Sequence, residues 1–143
     1  MTATQFLDTN ILLYSISRDP AETGKRERAV AILDRRDNAV SVQVLQEFYV
    51  QATRAGRADR LPHDVATGLV RSWLRFPVQE ITLAVMADAL AIKDRTGLSY
   101  WDAAIVATAK AMNCRELLSE DMTHDRDIDG VRIINPFRPS KPG

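Results

Sequence analysis

Short apolar runs of strand-forming residues alternate along this chain with longer segments of helical periodicity, and that alternation restricts the fold more than any other feature. Residues 5–7, 39–42, 78–81, 116–118 and 131–134 read as strands. Between them Val44, Leu45, Phe48, Tyr49 and Ala52 follow helical spacing, as do Leu83, Met86, Ala87 and Leu90. The pattern is clearest in Trp101, Ala104, Ile105, Thr108, Ala109 and Met112, a stripe that places Trp101 in the core. A narrower stripe, Ala29, Val30 and Leu33, marks a helix over 24–36. Alternation of this kind predicts a three-layer α/β/α domain around a mainly parallel five-stranded sheet. Residues 1–137 form the expected domain, and 138–143 a short proline-containing tail.

The 143 residues suffice for one domain that buries roughly 70% of the surface its unfolded chain exposes. Cys114 is the single cysteine, and only His63 and His124 stand beside it, so neither an intrachain disulfide nor a Cys/His zinc site is available. That usage, with no leader-like start and no run near the ~18 apolar residues of a membrane span, leads us to expect a cytoplasmic protein. Lys plus Arg equals Asp plus Glu at 19 each, so attraction to a polyanion must arise locally. The six glycines form neither a P-loop nor a dinucleotide fingerprint.

In a parallel sheet, helix N-termini and the carboxyl ends of strands share one edge, where open α/β sheets bind ligands. Asp8 ends the first strand, Asp121 follows the fourth, Asp102 lies in the first turn of the helix before the fourth, and Glu47 lies early in the helix after the second. Singly, each has a structural explanation: Asp8 as a helix cap, Glu47 as a solvated helix residue, Asp102 as part of the Ser99-x-x-Asp102 capping box, Asp121 as a turn former. Together they form a set of hard oxygen donors suited to Mg2+ or Mn2+ and hence to phosphate chemistry. Glu120, Asp125, Asp127 and Asp129 are close enough in sequence to Asp121 to compete for its role, whereas Asp88 and Asp94 read as a solvated helix face.

The segments Phe6-Leu7-Asp8-Thr9-Asn10-Ile11-Leu12, Gln46-Glu47-Phe48-Tyr49, Trp101-Asp102-Ala103-Ala104-Ile105-Val106-Ala107 and Leu117-Leu118-Ser119-Glu120-Asp121 resemble the successive acidic motifs of PIN domains, in the order and spacing of VapC-type toxins of type II toxin–antitoxin systems. The resemblance runs over residues 6–137. It implies a Mg2+- or Mn2+-dependent ribonuclease that hydrolyses RNA phosphodiesters, with Asp8, Glu47, Asp102 and Asp121 as catalytic, metal-ligating acids and Asn10 and Ser119 as supporting groups. It also implies a homodimer and a cognate antitoxin, with 11–16 and 48–52 as docking surfaces. Lys25, Arg26, Arg28, Arg54, Arg57, Arg60, Arg71 and Arg75 are candidate phosphate contacts, and Tyr14, Tyr49 and Tyr100 candidate stacking groups. Two other readings stand beside it. A non-catalytic PIN-like module would bind RNA or protein, and an aspartyl phosphotransferase would want an acid where Asn10 stands.

Overall fold

The structure is a computed structural model and describes residues 3–139. Residues 140–143 of the expected tail lie outside the described residues. Six strands, β1 (Gln5–Leu7), β2 (Asn38–Ser41), β3 (Val78–Gln79), β4 (Glu116–Leu118), β5 (Asp127–Ile128) and β6 (Val131–Ile134), form one sheet in the order β3-β2-β1-β4-β6-β5. All neighbours are parallel except β5 and β6. Helices α1 (Thr9–Ser15), α2 (Thr23–Leu33), α3 (Val42–Ala52), α4 (His63–Trp73), α5 (Leu83–Thr96) and α6 (Tyr100–Ala111) cover both faces. The three-layer α/β expectation holds.

The sixth strand, β5, is absent from the sequence reading. Its two residues are too short to show periodicity, yet Asp129-Gly130 is a hairpin signal: both residues have positive φ (53° and 89°) and they join the paired residues Ile128 and Val131. Two expected strands end earlier than 39–42 and 78–81 imply: β2 is shifted one residue back and β3 is two residues shorter. Ser41 and Thr82 accept the backbone N–H groups of Val44 and Val85, each at 3.1 Å, so the chain turns into a helix immediately after them. At the other end of α5 the left-handed Gly97 (φ 77°) returns its N–H to the Lys93 carbonyl at 2.9 Å and stops the helix.

The buried faces of the sheet carry Phe6, Leu7, Val40, Leu117 and Ile133, and Phe48 of α3 meets Trp73 of α4 edge to face at 4.7 Å. Two stripe readings change. In α6 the residues Ala103 through Ala109 are all buried, so this helix is enclosed rather than amphipathic, while Trp101, one turn earlier, projects past the sheet edge and is 64% exposed. In α5 the apolar face read from the sequence, Leu83, Met86, Ala87 and Leu90, faces outward, and Ala89 and Ile92 face the protein. That helix is apolar on two sides, and small Ala89 rather than the larger residues turns inward. No helix among the described residues is long and apolar enough to cross a membrane.

Candidate active site

The strand order reverses at β1, which pairs with β2 on one side and with β4 on the other. A crevice therefore opens at the carboxyl ends of β1 and β4. It has a volume of about 300 Å³, and its walls include Asp8, Glu47, Asp102 and Asp121. The four acids singled out in the sequence thus meet in one place.

Each arrives by a local device. Asp8 is the N-cap of α1: its Oδ1 accepts the Thr9 backbone N–H at 2.7 Å and its own N–H donates to the Leu118 carbonyl at 3.0 Å, tying the ends of β1 and β4 together. The Ser99 hydroxyl accepts the backbone N–H of Asp102 at 3.2 Å and so caps α6, leaving the Asp102 side chain for the crevice. Glu47 comes one turn into α3 and accepts from the Thr9 hydroxyl at 2.9 Å and the Gln43 amide at 3.1 Å. Asp121 follows β4 and accepts from the Asn10 amide at 3.2 Å.

Ser119 is the hub of the arrangement. Its Oγ accepts the Asp121 N–H at 3.2 Å, which leaves its proton to donate to Asp8 Oδ2 at 2.8 Å. Asn10 completes the frame, its Oδ1 accepting the Glu120 N–H at 3.2 Å. Asn10 and Ser119 thus stand where supporting groups were expected, in contact with the acids.

Among the described residues, none of the four acids is ion-paired with Lys, Arg or His. Burial pushes the Asp8 carboxyl up to about 6, and the charges of Asp121 and Glu47 add to that shift against the hydrogen bonds of Ser119 and Thr9. Burial also raises the Asp102 carboxyl, opposed by Ser99 and reinforced by Asp121 and Glu47. The donor set is all hard oxygen, and among the described residues none of its members is held by a cation. Yet no three His, Cys, Asp or Glu side chains among the described residues converge into a ready-made metal cage. The hard-oxygen donors are of the kind that divalent ions such as Mg2+ or Mn2+ take.

The acids near Asp121 separate cleanly. Glu120 lines the crevice, but Lys25 donates to its Oε2 at 2.6 Å and the Tyr14 hydroxyl donates to its Oε1. Although burial pushes the Glu120 carboxyl up, these two donors outweigh it and hold the group below its ordinary value. Asp125 binds Arg132 at 2.8 Å, Asp127 accepts the Gly130 N–H at 3.0 Å, and Asp129 binds Arg95. Asp88 meets Lys110 at 3.3 Å. None of these last four lines the crevice.

Two further residues stand on the crevice wall: Trp101, which the sequence reading placed in the core, and Arg57, one of the candidate phosphate contacts. Trp101, exposed and edge-on to Tyr100 at 5.0 Å, forms part of its lip. Arg57, from the loop between α3 and α4, also lines it, held by Asp59 at 2.8 Å. Of the other candidate cations, Arg75 binds the Ser72 and Leu33 carbonyls and lies over Phe76, a structural role. Tyr14 lines the crevice, whereas the Tyr49 hydroxyl pairs with His63 Nδ1 at 2.7 Å and Tyr100 packs against the core.

As a class, this is a three-layer α/β domain whose unpaired carboxylates gather where the strand order reverses. The chain belongs to the PIN-domain family, whose model matches residues 6–130. Its fold is similar to that of a chain in a toxin–antitoxin complex from Klebsiella pneumoniae, with TM-score 0.71 and 22% identity over 95% of this chain and 100% of that one. It is similar also to VapC20 of Mycobacterium tuberculosis, described as a Sarcin-Ricin loop cleaving toxin, with TM-score 0.63 and 20% identity over 82% and 90%. A third similar fold occurs in FitAcB from Neisseria gonorrhoeae, with TM-score 0.66 and 19% identity over 95% and 100%. Comparison with curated protein sequences returns no significant match.

Proposed function

We propose that this PIN-domain protein is a metal-dependent ribonuclease that hydrolyses phosphodiester bonds in RNA, and that it is the toxin of a toxin–antitoxin pair. The observation that carries the nuclease reading is the crevice of four carboxylates, none of them ion-paired among the described residues, whose lining cation Arg57 is held by Asp59 instead. Keeping such charges together costs folding energy, so their retention points to a ligand that repays it. The toxin reading is supported by the similarity to a chain of a toxin–antitoxin complex and to a Sarcin-Ricin loop cleaving toxin.

Asp8, Asp102 and Asp121, with Glu47, would hold a Mg2+ or Mn2+ ion. When bound, such an ion lowers the pKa of water and polarises a phosphate oxygen. The chain's own residues do the rest. Thr9 N–H and Ser119 Oγ–H hold the two Asp8 oxygens in one orientation, and Asn10 fixes Asp121. Glu47, steadied by Thr9 and Gln43, orients the attacking water towards phosphorus. Hydrolysis breaks the P–O bond to the leaving sugar oxygen, and no covalent enzyme intermediate is required. Arg57 contacts a substrate phosphate, and Trp101 on the lip offers an exposed face on which an unstacked base can lie.

Two surfaces suit protein partners. Ile81, Leu83, Met86 and Leu90 are exposed together on and before α5, and we assign self-association to them. The antitoxin is assigned to the apolar groove between α3 and α4 lined by Leu45, Tyr49, Val50, Val70 and Leu74, which includes part of the expected 48–52 surface. In the 11–16 segment Ile11 and Leu12 are buried, which leaves it less to offer. Cleavage of a panel of folded RNAs by the purified, antitoxin-free protein, with EDTA, Mg2+ or Mn2+, tests the function. Metal-dependent cutting that Asp8→Asn abolishes is the expected result, and binding without cutting by metal-loaded protein would favour the non-catalytic module.

A further inference from the structure

Beside the acidic crevice lies a second concavity of opposite charge. It has a volume of about 300 Å³ and is lined by Gly24, Lys25 and Arg28 from the start of α2 and by Pro136, Phe137 and Arg138 from the segment after β6. Three cations from two distant stretches of chain meet there, and among the described residues no acid is in its wall. Among the described residues neither Arg28 nor Arg138 has a salt-bridge partner, whereas Arg35, Arg57, Arg95 and Arg132 each bind a carboxylate. The carboxylate that feels Arg138, Asp125, is already held by Arg132.

The segment that brings Arg138 in is fixed. The Phe137 N–H donates to Asn135 Oδ1 at 2.9 Å, and the Asn135 N–H donates to His124 Nδ1 at 2.9 Å. The two concavities share a wall. Phe137 on the groove side packs edge-on against Tyr14 on the crevice side, with centroids 4.8 Å apart. Lys25 belongs to the groove, and its ammonium reaches Glu120 of the crevice.

We propose that this basic groove binds backbone phosphates of the RNA strand beyond the scissile bond, taking them up as the strand passes from the crevice over the Tyr14–Phe137 wall. The inference rests on the ribonuclease reading. It also answers a physical difficulty, because a crevice lined by Asp8, Glu22, Glu47, Asp102, Glu120 and Asp121 repels a polyanion. Screening confines useful attraction to about 8 Å at physiological salt, so compensating charge must lie alongside. Lys25 is committed to Glu120 and serves as the bridge, while Arg28 and Arg138 supply the phosphate contacts.

The test compares wild type with Arg28→Gln/Arg138→Gln over a salt series, using an RNA that wild type cleaves. The expected result is a KM raised on the order of tenfold with kcat unchanged, and a log–log salt dependence of kcat/KM shallower by about 1.4, roughly 0.7 for each lost single-strand phosphate contact. The double Lys variant should recover most of both, because point charge suffices for phosphate. Wild-type KM and salt slope in the Gln variant would overturn the groove while leaving the nuclease intact. Anisotropy of a labelled oligonucleotide bound to Asp8→Asn protein separates the two ideas. Oligonucleotide binding weakened by groove substitution, together with metal-loaded wild type that cleaves no RNA, keeps the groove and removes the nuclease. Unaltered oligonucleotide binding with weakened binding of poly-glutamate would give the groove to an acidic protein partner and overturn the proposal.

Discussion

Helix α6 carries a group of acids at each end, and the two groups have opposite fates. At its N-terminal end Asp102 joins Asp8, Glu47 and Asp121, whose hydrogen-bond partners are all neutral. At its C-terminal end Lys110 meets Asp88 at 3.3 Å and Asp129 at 3.1 Å, and Arg95 grips both oxygens of Asp129 at 2.8 and 2.7 Å. Hydrogen bonds from Arg95 and Lys110 hold Asp129 far below its ordinary pKa, whereas burial drives Asp8 up to about 6. A cluster of carboxylates is thus not a site in itself. The fold neutralises one cluster with its own cations and leaves the other for something else.

That contrast can be broken most sharply at Asp8. Asp8→Asn should reduce RNA cleavage on the order of a thousandfold or more and yet make the metal-free protein more stable at pH 7. The raised carboxyl stabilises the fold below pH 4 and loses that contribution as pH climbs through about 6, a difference of about 3 kcal/mol. Denaturant titrations of both proteins between pH 4 and 7 would show the wild type losing more stability across that window than the variant, in which Asp102 is the raised carboxyl that remains. A variant less stable than wild type at pH 7 would refute the account of the crevice.

Divalent ions come next in size. Mg2+ or Mn2+ at a hundred times its dissociation constant should stabilise the wild type by about 2.7 kcal/mol, read as a concentration-dependent rise in Tm that EDTA reverses. Asp8→Asn should show little of it, and Asp129→Asn all of it. Ser119→Ala should cost about 10–100-fold in activity, as loss of an orienting group does. It also removes a hydrogen bond that lowers the Asp8 pKa, so the alkaline shift of its pH–rate profile distinguishes this from general damage. The smallest effect is at the other end of the helix. Asp129→Asn should lose about 0.2–1 kcal/mol at pH 7 with cleavage unchanged. Because the folded-state pKa is lowered, that loss should begin to shrink as pH falls below about 4 and vanish only well below it, once pH has passed through the folded-state value.

Much of the site was legible before any coordinates. Asp8, Ser119 and Asp121 are marked by the strands they follow, and Asp102 by the cap Ser99 supplies. The exposed face of α5 and the position of Trp101 were not, because periodicity shows that a helix has an apolar side without showing which side meets a partner within the chain. Glu120 is the clearest case of a residue the sequence left open. It adjoins Asp121 and lines the same crevice, and only the fold shows that Tyr14 and a lysine 95 positions away hold its carboxylate.

The order of strands and helices, the caps that start α3, α5 and α6, and the gathering of acids at one sheet edge all follow from residues local in sequence. They rest on backbone geometry and burial pattern, which act over a few residues. How far the Asp8 and Asp102 carboxyls are pushed above their ordinary values was decided mainly by the tertiary structure, through burial. A carboxylate's free energy depends on the water it loses and the cations within a few ångströms, and in this fold those neighbours come from the far side of the chain.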